Sequence, residues 1–498
     1  MAGLELLAAL VVLVHSSCAL FILLYQVGQM DLLRRLLRAP RVPRDGEPTE
    51  YPVLTLQLPI YNERTTVEGL LESVAALRYP RDRFEVQLLD DSTDETVALA
   101  ARKVAELRRR GLDIHHLRRP DREGFKAGAL AYGLTQARGE LIAILDADFR
   151  PRPDYLERMV AVLERHPHWG LAQARWAHLN RETNLFTSAL ALHLDTHFSI
   201  EQEGRSQAPL FMGFNGTAGV WRRETIEAAG GWSADSLTED LDLAFRAQLA
   251  GWKLGYVDDI EVPAELPEQV SMLRTQQHRW IKGGTQVCHK LLARLWRSPQ
   301  PLVTKLQGTL HLASTHLFAV VLGMCVINPL VPIVLDEVPW ASPWLAPSGL
   351  AFQFIIISVL TTYAVTCLKR EAGPRRAARR FVSALPSLVS LSSGLSALGT
   401  KAVWEAWRGE VSPFVRTAKS GEGSERAYRT TKVGAIAYFE VFMALWLTAG
   451  LVFAVTRGHF GIALFLALQS VGFWVMTWSS ELRLRLPRAP RLQTRTDP

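Results

Sequence analysis

Four short signals follow one another in a charged stretch that apolar runs enclose on both sides: Asp90-Asp91, Asp146-Ala147-Asp148, Thr238-Glu239-Asp240 and Gln276-Gln277-His278-Arg279-Trp280. Asp146 and Asp148 stand two apart behind the apolar run Leu141–Leu145. On extended backbone their carboxylates point to one side. Such a pair suits a hard divalent cation, Mg2+ or Mn2+, which takes oxygen ligands and substrate phosphates and neutralises a diphosphate as it leaves. Asp90-Asp91 also closes a strand, where a carboxylate could accept from a nucleobase N–H and a ribose hydroxyl. Gly124-Phe125-Lys126-Ala127-Gly128 opens a helix at which backbone N–H groups and Lys126 could meet a phosphate. Asp240, in the first turn of a helix that Thr238 could cap, is placed to take a proton from an attacking hydroxyl. Gln276, Arg279 and Trp280 share a helix face at i, i+3 and i+4. Arg279 can fork onto a diphosphate, and Trp280 offers a flat face to a sugar ring.

Each signal has an ordinary alternative. An Asp-x-Asp is often a turn, Asp91 could cap a helix, Thr-Glu-Asp is a common acidic first turn, and a basic helix with Trp often precedes a membrane span. Their order argues for more: a metal-assisted nucleotide-diphosphate site that leaves one carboxylate free as a base.

The elements that would position these residues are legible in part. Val53–Leu58, Phe84–Leu89, Asp113–Leu117 and Glu140–Leu145 read as strands separated by helical segments, with Ser92, Thr93 and Asp94 offering caps after the second. Strands alternating with helices imply a mostly parallel sheet, with ligands beyond the strands' carboxyl ends, where both Asp clusters fall.

The chain has 498 residues, 48% of them hydrophobic. Its apolar runs Leu4–Val27, Leu306–Leu335, Gly349–Leu368, Val433–Val455 and Phe460–Trp478 approach or exceed the roughly 20 residues a spanning helix needs. The first lacks a cleavage signal and reads as an anchor. Basic residues explain the net charge of +7: Arg34, Arg35, Arg38, Arg41 and Arg44 follow the first run, and Arg483, Arg485, Arg488 and Arg491 follow the last. This places both flanks in the cytoplasm and argues against nucleic acid as a partner. Phe381–Leu398 is apolar but serine-rich and flanked by Arg375–Arg380 and Lys401; it is expected to lie at the cytoplasmic interface. Cys18, Cys288, Cys325 and Cys367 have neither disulfide nor metal spacing. The Asn215-Gly216-Thr217 sequon would be cytoplasmic and unused.

The expected organisation is a first transmembrane helix (1–30), a cytosolic catalytic domain (31–300), two spans (301–370), an interfacial helix with a loop (371–431), two spans (432–480) and a basic cytosolic tail (481–498).

Taken with Lys126-Ala127-Gly128-Ala129-Leu130, Gln173-Ala174-Arg175-Trp176 and Phe214-Asn215-Gly216-Thr217-Ala218-Gly219, these motifs resemble those of the processive glycosyltransferase family 2 enzymes, most closely the cellulose-synthase-like glucomannan 4-β-mannosyltransferases. The resemblance spans roughly residues 50 to 290. It implies an α/β GT-A (Rossmann-like) domain inserted in an α-helical multi-pass membrane protein. It also implies an inverting transfer from an α-linked nucleotide sugar, GDP-mannose or UDP-glucose, to a growing β-linked polysaccharide. In residue terms it implies that Asp90, Asp91 and Asp146 hold the nucleotide, with Lys126 beside them, that Asp148 holds the metal and that Asp240 is the base. Gln276 and Arg279 would bind the diphosphate, and Trp280, Asn215 and Glu239 would face the acceptor. Phe414–Lys419 resembles the gating loop of bacterial cellulose synthase, with Thr417 and Lys419 closing over the nucleotide. No cyclic-dinucleotide-binding domain is expected after the last span, and Phe214-Asn215-Gly216 stands where that enzyme has a cysteine-containing motif, both of which count against a cellulose synthase.

The expected function is therefore β-1,4-mannan or glucomannan synthesis with translocation of the product, and accessory secretion subunits are conceivable partners. Cellulose-like synthesis from UDP-glucose, single transfer to a membrane lipid, and a non-enzymatic relic are the alternatives. Arg far outnumbering Lys points to a GC-rich bacterial genome and an inner membrane.

Overall fold

The computed structural model describes residues 2–38, 46–412 and 435–479. Its centre is a seven-stranded sheet in the order β3-β2-β1-β4-β6-β5-β7. The strands are β1 Leu54–Ile60, β2 Phe84–Asp90, β3 Ile114–Leu117, β4 Leu141–Ile144, β5 Trp169–His178, β6 Gly219–Arg222 and β7 Lys253–Ala264. β1 to β4 are mutually parallel, as their alternation with helices predicts. β1, β2 and β4 are buried along nearly their whole length, and the polar side chains within β1 and β2 pair with each other: Thr55 Oγ1 donates to Glu85 at 2.6 Å and Gln57 Nε2 to Gln87 Oε1 at 3.0 Å.

The sequence reading had no β5, β6 or β7. β6 has four residues and runs antiparallel to both β4 and β5, while β5 and β7 pair in parallel with register shifts. Its direction matters for the site. Because β6 opposes β4, with Ile144 level with Gly219, the start of β6 abuts the end of β4. The Gly213–Ala218 loop is thereby delivered to Asp146. The Ala218 N–H donates to the Ile144 carbonyl at 2.9 Å, and the Asp146 N–H donates to Thr217 Oγ1 at 2.9 Å.

Six helices among the described residues are long and apolar enough to cross a membrane: Ala2–Arg38, Leu302–Glu337, Pro339–Arg370, Pro374–Trp407, Ile436–Thr456 and Phe460–Trp478. Pro374–Trp407 contains the segment expected at the interface, and it is one continuous helix. Its small residues admit close neighbours. Gly394 faces Gly472 and Met476 of the last helix, and Gly399 faces Phe318. Outside these, Val270–Arg297 is a 28-residue helix that carries Gln276, Arg279 and Trp280 out of the sheet domain.

Candidate active site

A single cleft beyond the carboxyl ends of β1, β2 and β4 gathers Asp91, Lys126, Asp146, Asp148, Asn215, Glu239, Asp240, Gln276, Arg279 and Trp280. Ten of the expected site residues therefore line one space, although they come from six separate stretches of chain. Thr417 and Lys419 lie outside the described residues.

Asp90 does not line that space. It is 2% exposed, with His116 Nε2 donating to Oδ2 at 2.7 Å and the Ser92 N–H donating to Oδ1 at 2.8 Å. Burial opposes ionisation, but these hydrogen bonds hold its carboxyl below the usual range. Asp90 thus shapes the turn after β2 instead of reaching the cleft. Asp91 reaches it and is braced by Arg119, whose Nε and Nη2 meet its two oxygens at 2.8 and 2.6 Å in the bidentate geometry that orders a carboxylate most tightly.

Lys126 occupies the middle of the site. It follows Gly124, whose backbone sits at φ +68°, a left-handed turn that costs glycine little. Its Nζ donates to Asp146 Oδ1 at 2.6 Å and to the Gly216 carbonyl at 2.9 Å, with Glu239 at 4.0 Å. Burial would lower its pKa, but Asp146 and Glu239 outweigh burial and raise it, so Lys126 is a fixed cation. Asp240 stands on the other side of the same loop. A Cβ added at Gly216 would lie 2.8 Å from Asp240 Oδ2 and 3.4 Å from Lys126 Nζ. Burial, and then the neighbouring Glu239 charge, push the Asp240 carboxyl up to about 7, although Lys126 and Arg279 pull it down. A carboxylate tuned to neutrality beside a cation is what a general base requires.

Thr238 precedes the Glu239–Leu249 helix, but its side chain makes no capping hydrogen bond. Its hydroxyl and backbone pack instead against Gly283 of Val270–Arg297, where a Cβ would come within 2.6 Å of the Thr238 methyl. The contact seats the helix that begins with Glu239 and Asp240 directly on the helix of Gln276 and Arg279.

The implied divalent cation can be tested against these residues. Among the described residues no group of three acidic, His or Cys side chains is arranged to cage a metal. Asp148 is 6% exposed, lines the cleft, and stands two residues from Asp146. One or two carboxylates, with the remaining positions left to phosphates and water, is the donor set on which Mg2+ and similar ions sit in nucleotide sites. The residues fit.

Three residues to which the motifs assign no role also line the cleft. Trp176 of β5 lines the cleft, its ring centroid 6.5 Å from that of Trp280, and it rests on Phe149 and Phe198 at 5.3 and 5.4 Å. The two indoles form an aromatic wall suited to the apolar face of a sugar. At the Asp91 end, Tyr61 and Arg122 line the cleft, with the guanidinium 3.3 Å over the Tyr61 ring. Stacking partners from another loop leave no local pattern in the sequence around Tyr61.

Sheet order, cleft position and carboxylate arrangement together define a GT-A glycosyltransferase architecture, here joined to the helices of a multi-pass membrane protein. Residues 55–225 match Glycosyl transferase family 2, and residues 141–363 match Glycosyl transferase family group 2. The matched stretch of the chain thus resembles glycosyltransferase family 2 enzymes. It is 39% identical over 278 residues to glucomannan 4-beta-mannosyltransferase 1 of Oryza sativa subsp. japonica, covering 54% of this chain and 53% of that one. It is 40% identical over 254 residues to glucomannan 4-beta-mannosyltransferase 2 of Arabidopsis thaliana, covering 50% and 48%. The chain thus spans about half the length of the curated relatives it matches. A mannosyltransferase from Pyrobaculum calidifontis, solved in complex with GDP-Man and Mn2+, shares the fold with a TM-score of 0.51 at 22% identity, covering 82% of this chain and all of that one.

Proposed function

We propose that the chain is a membrane-embedded inverting glycosyltransferase that extends a β-1,4-linked mannan or glucomannan from GDP-mannose, with a divalent cation held by Asp148. The observation that carries this reading is the placement of Asp240. It is a carboxylate pushed up to about 7, with the Gly213–Ala218 loop and Lys126 between it and the Asp146–Asp148 pair. The relatives and the fold neighbour named above are mannosyltransferases, which supports GDP-mannose over UDP-glucose.

In the reaction, Asp240 takes the proton of an acceptor hydroxyl while that oxygen attacks the anomeric carbon from the face opposite the diphosphate. The bond from that carbon to the diphosphate oxygen breaks, and its electron pair leaves with the nucleotide diphosphate. A bound cation supplies charge neutralisation to that leaving group. Lys126, Gln276 and Arg279 bind the diphosphate, Asp91, Tyr61 and Arg122 enclose the nucleoside end, and Trp280 and Trp176 stack on the sugars.

The interfacial position of Pro374–Trp407 belongs to the same proposal. Arg380 near its start pairs with Asp195 at 2.7 Å, and Glu405 near its end accepts from His278 at 2.8 Å. At about 1.5 Å rise per residue those anchors are roughly 37 Å apart. Both partners lie in the 31–300 stretch, which supports a helix that runs along the catalytic domain at the membrane surface. The proposal keeps the sheet domain in the cytoplasm and the chain in a bacterial inner membrane, with the Gln276–Trp280 helix at the mouth of an export path.

Membrane vesicles containing the full chain, given labelled GDP-mannose or UDP-glucose, test the reading. A polymer made from GDP-mannose and cut by β-1,4-mannanase is expected. Label recovered only in lipid, or a polymer made only from UDP-glucose, would refute it.

A further inference from the structure

The six-residue stretch His197–Gln202 is a π-helix inserted between the helices Leu185–Thr196 and Glu203–Ser206. A π-turn closes i to i+5 and so takes in one residue more than an α-turn. Positions five apart then fall on one side, whereas on an α-helix the facing positions are three or four apart. His197 and Gln202 are five apart, and both reach Asn215. Gln202 Nε2 donates to Asn215 Oδ1 at 2.6 Å, and Asn215 Nδ2 meets His197 Nε2 at 3.2 Å. Glu201 Oε2 lies 3.2 Å from His197 Nδ1.

A backbone group sets the polarity of this chain of contacts. Gln202 Nε2 also donates to the Gly213 carbonyl at 2.9 Å, and a carbonyl only accepts. The Gln202 amide must therefore turn its nitrogen toward Asn215, and Asn215 must answer with Oδ1. Its Nδ2 is then the donor to His197, Nε2 of the ring accepts, and the ring proton resides on Nδ1, where it is donated to Glu201. The Asn215 backbone N–H is held as well, donating to Gln173 Oε1 at 3.2 Å. An amide nitrogen carries two hydrogens. Among the described residues only His197 takes one, and Asn215 lines the cleft one residue from Gly216, against which Asp240 packs.

We propose that His197, Glu201 and Gln202 are positioning residues that lock the Asn215 amide with its second N–H aimed at a hydroxyl oxygen of the acceptor's terminal sugar, beside the hydroxyl that Asp240 deprotonates. This rests on the glycosyl-transfer reading above. A single neutral donor at this spot reads acceptor geometry and leaves the donor nucleotide untouched, so its loss falls on one substrate only.

The test uses the full chain in vesicles with GDP-mannose as donor and β-1,4-mannotetraose as added acceptor. His197→Phe and Gln202→Leu should each raise the KM for the tetraose about tenfold, the value of one hydrogen bond to a ligand. Their KM for GDP-mannose and their donor hydrolysis without acceptor should stay within about twofold of wild type. His197→Gln, whose Oε1 can accept in place of Nε2, should keep the acceptor KM near wild type, a rescue that a loss of packing would not give. Unchanged acceptor KM in His197→Phe and Gln202→Leu, or equal damage in His197→Gln and His197→Phe, overturns the clamp while leaving the transferase reading intact. A wild type that transfers from neither GDP-mannose nor UDP-glucose overturns both.

Discussion

Replacing Asp240 with Asn should move activity and stability in opposite directions, because the site strains the residue it uses. Burial and the adjacent Glu239 charge push the Asp240 carboxyl from 3.8 up to about 7. Between those values the native state keeps a proton that the unfolded chain has released, so stability falls as pH rises through that window. That displacement, at roughly 1.36 kcal/mol per pH unit, costs the native state on the order of 4 kcal/mol by about pH 8. Asn has nearly the same shape and no charge to bury. Asp240→Asn should therefore unfold at a higher temperature than wild type at about pH 8, with the gap closing toward about pH 4. It should also lose roughly 10²–10⁴-fold in transfer rate while binding GDP nearly as wild type, since a base acts in the transition state. In the wild type, the transfer rate should fall about tenfold per pH unit below about 7 as the base is protonated. Thermal melts in detergent across pH, set beside initial rates in vesicles, check both halves. A variant less stable than wild type at the higher pH, or a wild-type rate flat across neutrality, would refute the assignment.

Gly216→Ala should cut kcat roughly 10–100-fold with GDP affinity retained, because the new Cβ would press to 2.8 Å from Asp240 Oδ2 on a backbone held at φ +82°; steady-state kinetics with a GDP titration reads it. Asp148→Asn should raise the Mn2+ concentration for half-maximal rate at least about tenfold, with no change in the melting temperature measured in chelator. Arg274→Met would leave Glu440, 0% exposed and paired with Arg274, as an uncompensated buried charge. Denaturation should show a loss of about 3–5 kcal/mol, most of it recovered in Arg274→Met/Glu440→Met.

Much of the fold was legible because its parallel strands are buried on both faces. Leu54–Ile60, Phe84–Asp90 and Leu141–Ile144 declare themselves as strand-length segments rich in apolar residues that end in carboxylates or turns. β7 was hidden by Asp258, Asp259 and Pro263 within it and by its register shifts against β5. The two members of Asp90-Asp91 look alike in sequence, and only packing against His116 sends one inward while Arg119 holds the other at the cleft.

Residue type and spacing by themselves determined the order of the carboxylate pairs, the membrane character and the helix face shared by Gln276, Arg279 and Trp280, since these depend on local backbone geometry and on composition. The tertiary structure alone decided how the parts meet. The antiparallel β6 delivers Gly216 between Asp240 and Lys126, Trp176 comes up beside Trp280, and a π-turn brings His197 and Gln202 onto Asn215. Those contacts join residues from distant stretches of chain, and such encounters are settled by how whole elements pack.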